Sequence, residues 1–148
     1  WLHRIRHHQD FIGLNHYHRH CIDGWYGKNP NLVQTDFGWE YYPESLTQVL
    51  LELKPYNLPI YITENGLADS EDTLRQDFIP RAVHALSEAM KQGADVRGYL
   101  YWSLLDNFEW DKGFWLRFGL IAIDRTTLMR TIRPSAYLYR DIIKKSSL

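Results

Sequence analysis

Three stretches of the chain place reaction-capable side chains at the ends of apolar runs. The first is Pro59-Ile60-Tyr61-Ile62-Thr63-Glu64-Asn65-Gly66. A short run of β-branched and aromatic residues bounded by Pro and Gly reads as a buried strand. Glu64 then sits where a parallel strand leaves its sheet, the end at which α/β folds gather ligands and catalytic groups. A charge solvated on a loop is the alternative. The second stretch, Asp10-Phe11-Ile12-Gly13-Leu14-Asn15-His16-Tyr17, also reads as a buried strand with polar groups clustered at its end. His16, His18 and His20 alternate just beyond, and period two on a strand would put all three on one face, as a metal site requires. No carboxylate or cysteine cluster supports a metal, and a wet loop of His and Arg explains the pattern as well. The third stretch, Gly98 to Leu104, leads into an aromatic and acidic segment ending at Trp110.

The elements that must position these residues alternate. Trp1 to Gln9 is basic and reads as the tail of a helix. Cys21 to Tyr42 is a long aromatic-rich connection, and a loop of that length in a compact domain is usually functional. Pro43-Glu44 opens a helix to about Lys54, because Leu46, Val49, Leu50 and Leu53 fall at helical spacing with Pro at the first position. Ser70 is expected to cap the next helix, with Glu71 and Asp72 in its first turn beside the positive end of the dipole. Its stripe runs from Leu74 to Met90, Pro80 is expected to kink or restart it, and Gly93 stops it. Leu120-Ile121-Ala122-Ile123 reads as a short hairpin strand, and Pro134 opens a final helix to about Lys145. Strand, helix, strand, helix, strand, helix means consecutive βα units, hence an α/β fold with a parallel sheet and right-handed crossovers.

Composition narrows the partners. A net charge of −1 offers no basic field to nucleic acid or an anionic membrane. The single cysteine, Cys21, rules out an internal disulfide and is compatible with a reducing compartment, so a cytoplasmic location is the expectation. Aromatics make up 15% of the residues. Flat side chains of this kind stack on the apolar C–H faces of sugar rings, or simply fill a core.

Asp10-Phe-Ile-Gly-Leu-Asn-His-Tyr17, Ile62-Thr-Glu-Asn-Gly66 and Tyr101-Trp-Ser-Leu-Leu-Asp-Asn-Phe-Glu-Trp110 resemble, in order and spacing, the signatures of family 1 glycoside hydrolases. Arg117-Phe-Gly-Leu120, Asp124 and Arg133-Pro-Ser-Ala136 fit as well. The resemblance implies that residues 1–148 form the C-terminal part of a single (β/α)8 TIM-barrel catalytic domain. They would be its last three βα units, strands six to eight; a whole barrel needs roughly 250 residues. It also implies a retaining β-glycosidase in which Glu64 is the nucleophile and forms a covalent glycosyl-enzyme. Tyr17 would hydrogen-bond that carboxylate and keep it in place. Asn15 would lie beside the sugar, Trp102 and Trp110 would flank it, and Phe118 would close its pocket. Glu109 would accept hydrogen bonds from two neighbouring hydroxyls. Trp39 would form one wall of the leaving-group site. No metal or organic cofactor is implied; the expected partners are a β-glucoside or related saccharide and the N-terminal part of the same barrel.

Family members that take 6-phosphorylated sugars carry Ser at the position of Glu109, and Lys and Tyr at those of Leu116 and Phe118. The residues present resemble the non-phosphorylated pattern, so neutral β-glycosides are expected. His16 stands where the family usually has Tyr. The acid/base Glu of the family's Asn-Glu-Pro motif is not in the sequence, nor are the strand-one Gln, the strand-three His-Trp pair and the Arg that supports the nucleophile. A retaining hydrolase needs two carboxylates about 5–5.5 Å apart. The chain is therefore expected to be inactive alone. A non-catalytic sugar-binding module, or a fragment that complements a split barrel, is the other reading.

Overall fold

The computed structural model describes residues 8–146. In chain order the elements are β1 (Ile12–Asn15), β2 (Ile22–Asp23), β3 (Tyr26–Gly27), α1 (Ser45–Leu53), β4 (Ile60–Asn65), α2 (Thr73–Lys91), β5 (Val96–Tyr101), β6 (Ile121–Ile123), β7 (Arg130–Ile132) and α3 (Pro134–Ser146). β1, β4 and β5 form a parallel sheet in that order, and two small antiparallel hairpins, β2–β3 and β6–β7, decorate it. Parallel neighbours need a crossover, and α1 and α2 supply one each. The expected βα order is present.

Burial follows from the two-residue period of the strands. Ile60 and Ile62 of β4 are fully buried against Leu46 and Leu50 of α1 and Phe78, Ile79 and Ala82 of α2. Each Leu or Ile so buried contributes about 1.5–3 kcal/mol. The opposite face of the sheet is open: Phe11, Gly13 and Leu100 are exposed and Tyr61 half-buried. These strands are thus half-buried rather than buried on both faces. In a closed barrel that face looks inward and is covered by side chains of the other strands.

Several expected boundaries move. Pro43 and Glu44 precede α1, and Pro55 lies in a 3-10 turn (Lys54–Tyr56) that follows it. α2 begins at Thr73 without an acidic first turn. Ser70, Glu71 and Asp72 form the turn before it, and the Asp72 backbone is left-handed (φ +62°). The Arg75 main-chain N–H is satisfied by Asp69 Oδ2 at 2.9 Å. Pro80 does not interrupt α2. It lies with Gln76 on the exposed face, where water can take the carbonyl that Pro leaves without a donor. β5 ends at Tyr101, three residues short of the expected Leu104. The expected helix tail at Trp1 to Gln9 falls outside the described residues, apart from the irregular His8 and Gln9.

Two buried charged knots tie the units together. Arg75, fully buried, ion-pairs with Asp72 and donates to Tyr101 Oη (3.0 Å) and to the carbonyls of Asp69 and Arg117 (2.6 Å each). Asp72 in turn accepts from the N–H and hydroxyl of Ser135 (2.9 and 2.6 Å), so the starts of α2 and α3 share one carboxylate. In the second knot Asp106 accepts the Arg133 fork (3.0 and 3.1 Å) and the Gly119 N–H (3.0 Å), with Arg117 Nη1 at 3.7 Å. A buried carboxylate this well paired fixes the loop 102–120 to the strand ends.

Candidate active site

The site lies at the carboxyl ends of β1, β4 and β5. Register irregularities at Leu14/Asn15 on one side of β4 and at Ile62/Asn65 on the other bring Asn15 opposite Glu64 and Asn65 opposite Tyr101. Bulges of this sort re-aim side chains as pairing ends. The His16 N–H donates to the Glu64 carbonyl at 2.9 Å, which carries the chain past the sheet edge with Tyr17 turned back. The Tyr17 hydroxyl then donates to Glu64 Oε2 at 2.6 Å. Burial, this hydrogen bond and the charges of Glu64 and Glu109 all hold the Tyr17 phenol well above its ordinary pKa. It is a proton donor throughout the neutral range.

Rings wall the site. Tyr17 is 5.5 Å from Trp39 and 6.2 Å from Phe118, centroid to centroid, and Trp39 stacks on Phe37 at 4.1 Å. Leu116 and Phe118 are buried with Ala68, and Tyr17, Trp39 and Trp102 pack on them. Trp39 also lines a cleft of about 240 Å³ with His18, Arg19 and Glu40, so one indole separates the Glu64 site from a second hollow. Arg19 grips Glu40 through two hydrogen bonds (2.9 and 3.1 Å) and its guanidinium lies over the Tyr42 ring, which fixes the floor of that hollow.

Glu109 is oriented by Asn107, whose Nδ2 donates to Glu109 Oε2 at 2.9 Å, while the Ser103 hydroxyl donates to the Leu105 carbonyl at 2.7 Å and so braces the same turn. Asn15 stands at the end of β1 and accepts from Thr63 Oγ1 at 2.6 Å. Of the residues singled out from the sequence, Tyr17, Glu64, Trp39, Trp102 and Phe118 are assembled. Glu109 is near enough to bear on the Tyr17 phenol electrostatically. Trp110 is not brought in: it is 81% exposed.

His16, His18 and His20 lie beyond the end of β1 and do not share one strand face. His16 Nε2 is 2.8 Å from Ser45 Oγ, whose own proton goes to the Tyr42 carbonyl (2.8 Å). The hydroxyl must therefore accept, which assigns the Nε2–H tautomer to His16. His18 stacks on Trp39 and meets His20 edge-on. Among the described residues no three His, Cys, Asp or Glu side chains gather as a metal would need. Sequence reading missed the orienting side chains: Asn65, Ser103, Asn107 and Asp106. Their one signal was that polar residues fall within otherwise apolar or aromatic stretches.

Comparison with known proteins agrees with this geometry. The model of Glycosyl hydrolase family 1 matches residues 2–148. The chain belongs to that family of glycosidases, and its three βα units are the strand-six-to-eight portion of the (β/α)8 barrel. It is 40% identical to a β-galactosidase of Sulfolobus acidocaldarius over 97% of the chain and 33% of that protein. It is 35% identical to a 1,4-β-D-glucan glucohydrolase of Thermotoga neapolitana over 99% and 37%. The solved β-glucosidase of Thermotoga maritima in complex with glucoimidazole superposes with a TM-score of 0.87 at 34% identity, covering 91% of this chain and 34% of that one. The chain thus spans about a third of the length of the relatives it matches.

Proposed function

We propose that this chain carries the nucleophile half of a retaining β-glycosidase acting on non-phosphorylated β-glycosides, with residues 1–148 as the C-terminal part of one catalytic barrel. The observation that supports it most is the 2.6 Å hydrogen bond from Tyr17 to Glu64 at the carboxyl end of β4. It holds one carboxylate oxygen and leaves the other free to attack an anomeric carbon. The C–O bond to the leaving group then breaks as the Glu64–sugar ester forms, and water hydrolyses the ester in a second step. The acid/base Glu that protonates the leaving oxygen and later activates that water would come from the remainder of the barrel. Tyr17 keeps Glu64 aimed. Asn15, Trp102, Glu109 and Phe118 would bind the sugar, and Trp39 would meet the leaving group.

Burial of Leu116 and Phe118 in an apolar cluster beside Glu109 supports a neutral sugar, because a phosphate would need cationic donors there. A saccharide ligand is also supported by the relatives from Thermotoga maritima, solved with glucoimidazole and deoxynojirimycin.

The test is hydrolysis of an aryl β-glucoside by the chain alone and after mixing with a polypeptide bearing the other five βα units. Activity confined to the mixture, and lost in Glu64→Gln, is the expected result. Trapping with an activated 2-deoxy-2-fluoro-β-glucoside should place one sugar on Glu64. A folded mixture that binds glucose saturably and turns over nothing would refute catalysis in favour of a sugar-binding or complementing fragment.

A further inference from the structure

The pair Tyr17–Glu64 is not held by its own hydrogen bond alone. Tyr17 lies beyond the end of β1, in irregular backbone, and something must fix where that backbone runs. Asn65, only 2% exposed, is the residue next to Glu64, yet its side chain points away from it along the sheet edge. Its Nδ2 donates to the His16 carbonyl at 2.6 Å, and its Oδ1 lies 2.8 Å from the Tyr99 hydroxyl. The direction of the amide is forced. A carbonyl can only accept, so the group facing His16 is the NH2, and Oδ1 is left to take the Tyr99 proton.

We infer that Asn65 is a positioning residue: its buried amide, oriented by Tyr99, holds the His16 carbonyl and through it keeps Tyr17 hydrogen-bonded to Glu64. The links close into a ring. Glu64 is bonded to Asn65, Asn65 donates to His16, His16 is bonded to Tyr17, and Tyr17 donates back to Glu64. The His16 N–H to the Glu64 carbonyl (2.9 Å) runs across the ring and halves it. Tyr99, from β5, locks the ring to the third strand. Three strand ends therefore set one phenol–carboxylate distance. Without the amide, the His16–Tyr17 segment keeps its main-chain bond to Glu64 and the His16–Ser45 contact, but neither holds the His16 carbonyl from which Tyr17 follows. The inference rests on the reading of Glu64 as the reacting carboxylate only for its functional meaning; the geometry it asserts is independent of sugar.

The test reads Tyr17 directly. In the full chain carrying ζ-13C-labelled tyrosine, the Tyr17 resonance is identified by its loss in Tyr17→Phe and compared among variants at neutral pH. Asn65→Ala is expected to move it toward the shift of a water-exposed phenol, since the phenol loses its carboxylate acceptor and gains water. Tyr99→Phe removes only the orienting hydroxyl and is expected to move Tyr17 in the same direction by less, so the idea stays testable if Asn65→Ala does not fold. Leu50→Val serves as a control that loosens the core without touching the ring. A Tyr17 resonance unchanged in the folded Asn65 and Tyr99 variants, or moved equally in Leu50→Val, overturns the assignment. Sugar trapping on Glu64 decides the proposed function separately: failed trapping with a shifted Tyr17 sinks the glycosidase reading and leaves the positioning role intact.

Discussion

Asp106→Asn is the most informative single substitution away from Glu64. The change is nearly isosteric, so no cavity complicates it. It removes a negative charge that faces two guanidinium groups, with the Asp106 and Arg133 side chains only 1% and 10% exposed. It also turns one acceptor oxygen into an NH2, so one arm of the Arg133 fork is lost together with either the Gly119 N–H on Oδ1 or the Ile123 N–H (3.4 Å) on Oδ2. Removing one partner of a buried ion pair costs about 3–5 kcal/mol. Arg117 softens this little, because its Nη1 is already buried without a hydrogen bond and reaches Asp106 only at 3.7 Å. At about 2–4 °C per kcal/mol for a chain of this size, the midpoint of thermal unfolding should fall by roughly 6–20 °C. Circular dichroism or calorimetry measures it. Adding Arg133→Met should recover part of the loss by removing the stranded cation, though not all, because Arg133 also donates to the Gly119 carbonyl at 2.6 Å. A midpoint within 3 °C of the parent, or a double variant whose loss equals the sum of the two singles, would refute the view of Asp106 as the clamp of the loop 102–120.

Further outcomes are expected. Tyr17→Phe removes a hydrogen bond to a charged acceptor, worth about 1.5–3 kcal/mol, and should slow sugar transfer to Glu64 in the complete barrel roughly 10- to 150-fold; single-turnover labelling of Glu64 measures it. Burial, and then the charge of His18, hold the His16 imidazole below its ordinary pKa. The unfolded chain therefore takes up the proton first as pH falls, and stability present above about pH 6.5 should decline below it. His16→Tyr should flatten that slope in unfolding curves between pH 7 and 5, and an unchanged slope would exclude His16 as its source. A methyl at Gly66 would run into the Trp102 carbonyl oxygen and sit 3.2 Å from the Tyr101 ring. Overpacking against main chain costs about 1–3 kcal/mol, so Gly66→Ala should lower the midpoint while Asn57→Gly, in a left-handed turn before β4 (φ +52°), should not.

What could be read from the sequence was local. The period of Ile60 to Glu64 and the Asn-Gly that follows located a strand end and its carboxylate, and the ordered motifs located Tyr17 and the aromatic wall. What escaped depends on partners distant in sequence. Asp72 reads as a first-turn carboxylate, yet it is spent on Arg75 and on Ser135, 63 residues away. Asn65 reads as a turn former, but its partners are His16 and Tyr99, 49 and 34 residues distant. Pro80 reads as a breaker because its cost is judged without knowing that its face of α2 meets water. Trp110 shared a motif with Glu109 and Trp102, but its left-handed backbone (φ +46°) turns it outward.

The C-terminal half of the connection 21–42 is tied to the body of the molecule, through Asp36 to Ala68 and Ser70, Trp39 to Tyr17 and Phe118, and Tyr41 to Asp77 and Phe78. Its hairpin β2–β3 stands clear, with Trp25 98% and Leu32 100% exposed. Neither charged knot and no hydrogen bond of the Asn65 ring draws on residues 22–33. Residues 22–33 are thus a replaceable rim on a fixed hearth. That span can be exchanged for one of another length or chemistry with the Tyr17–Glu64 distance left untouched.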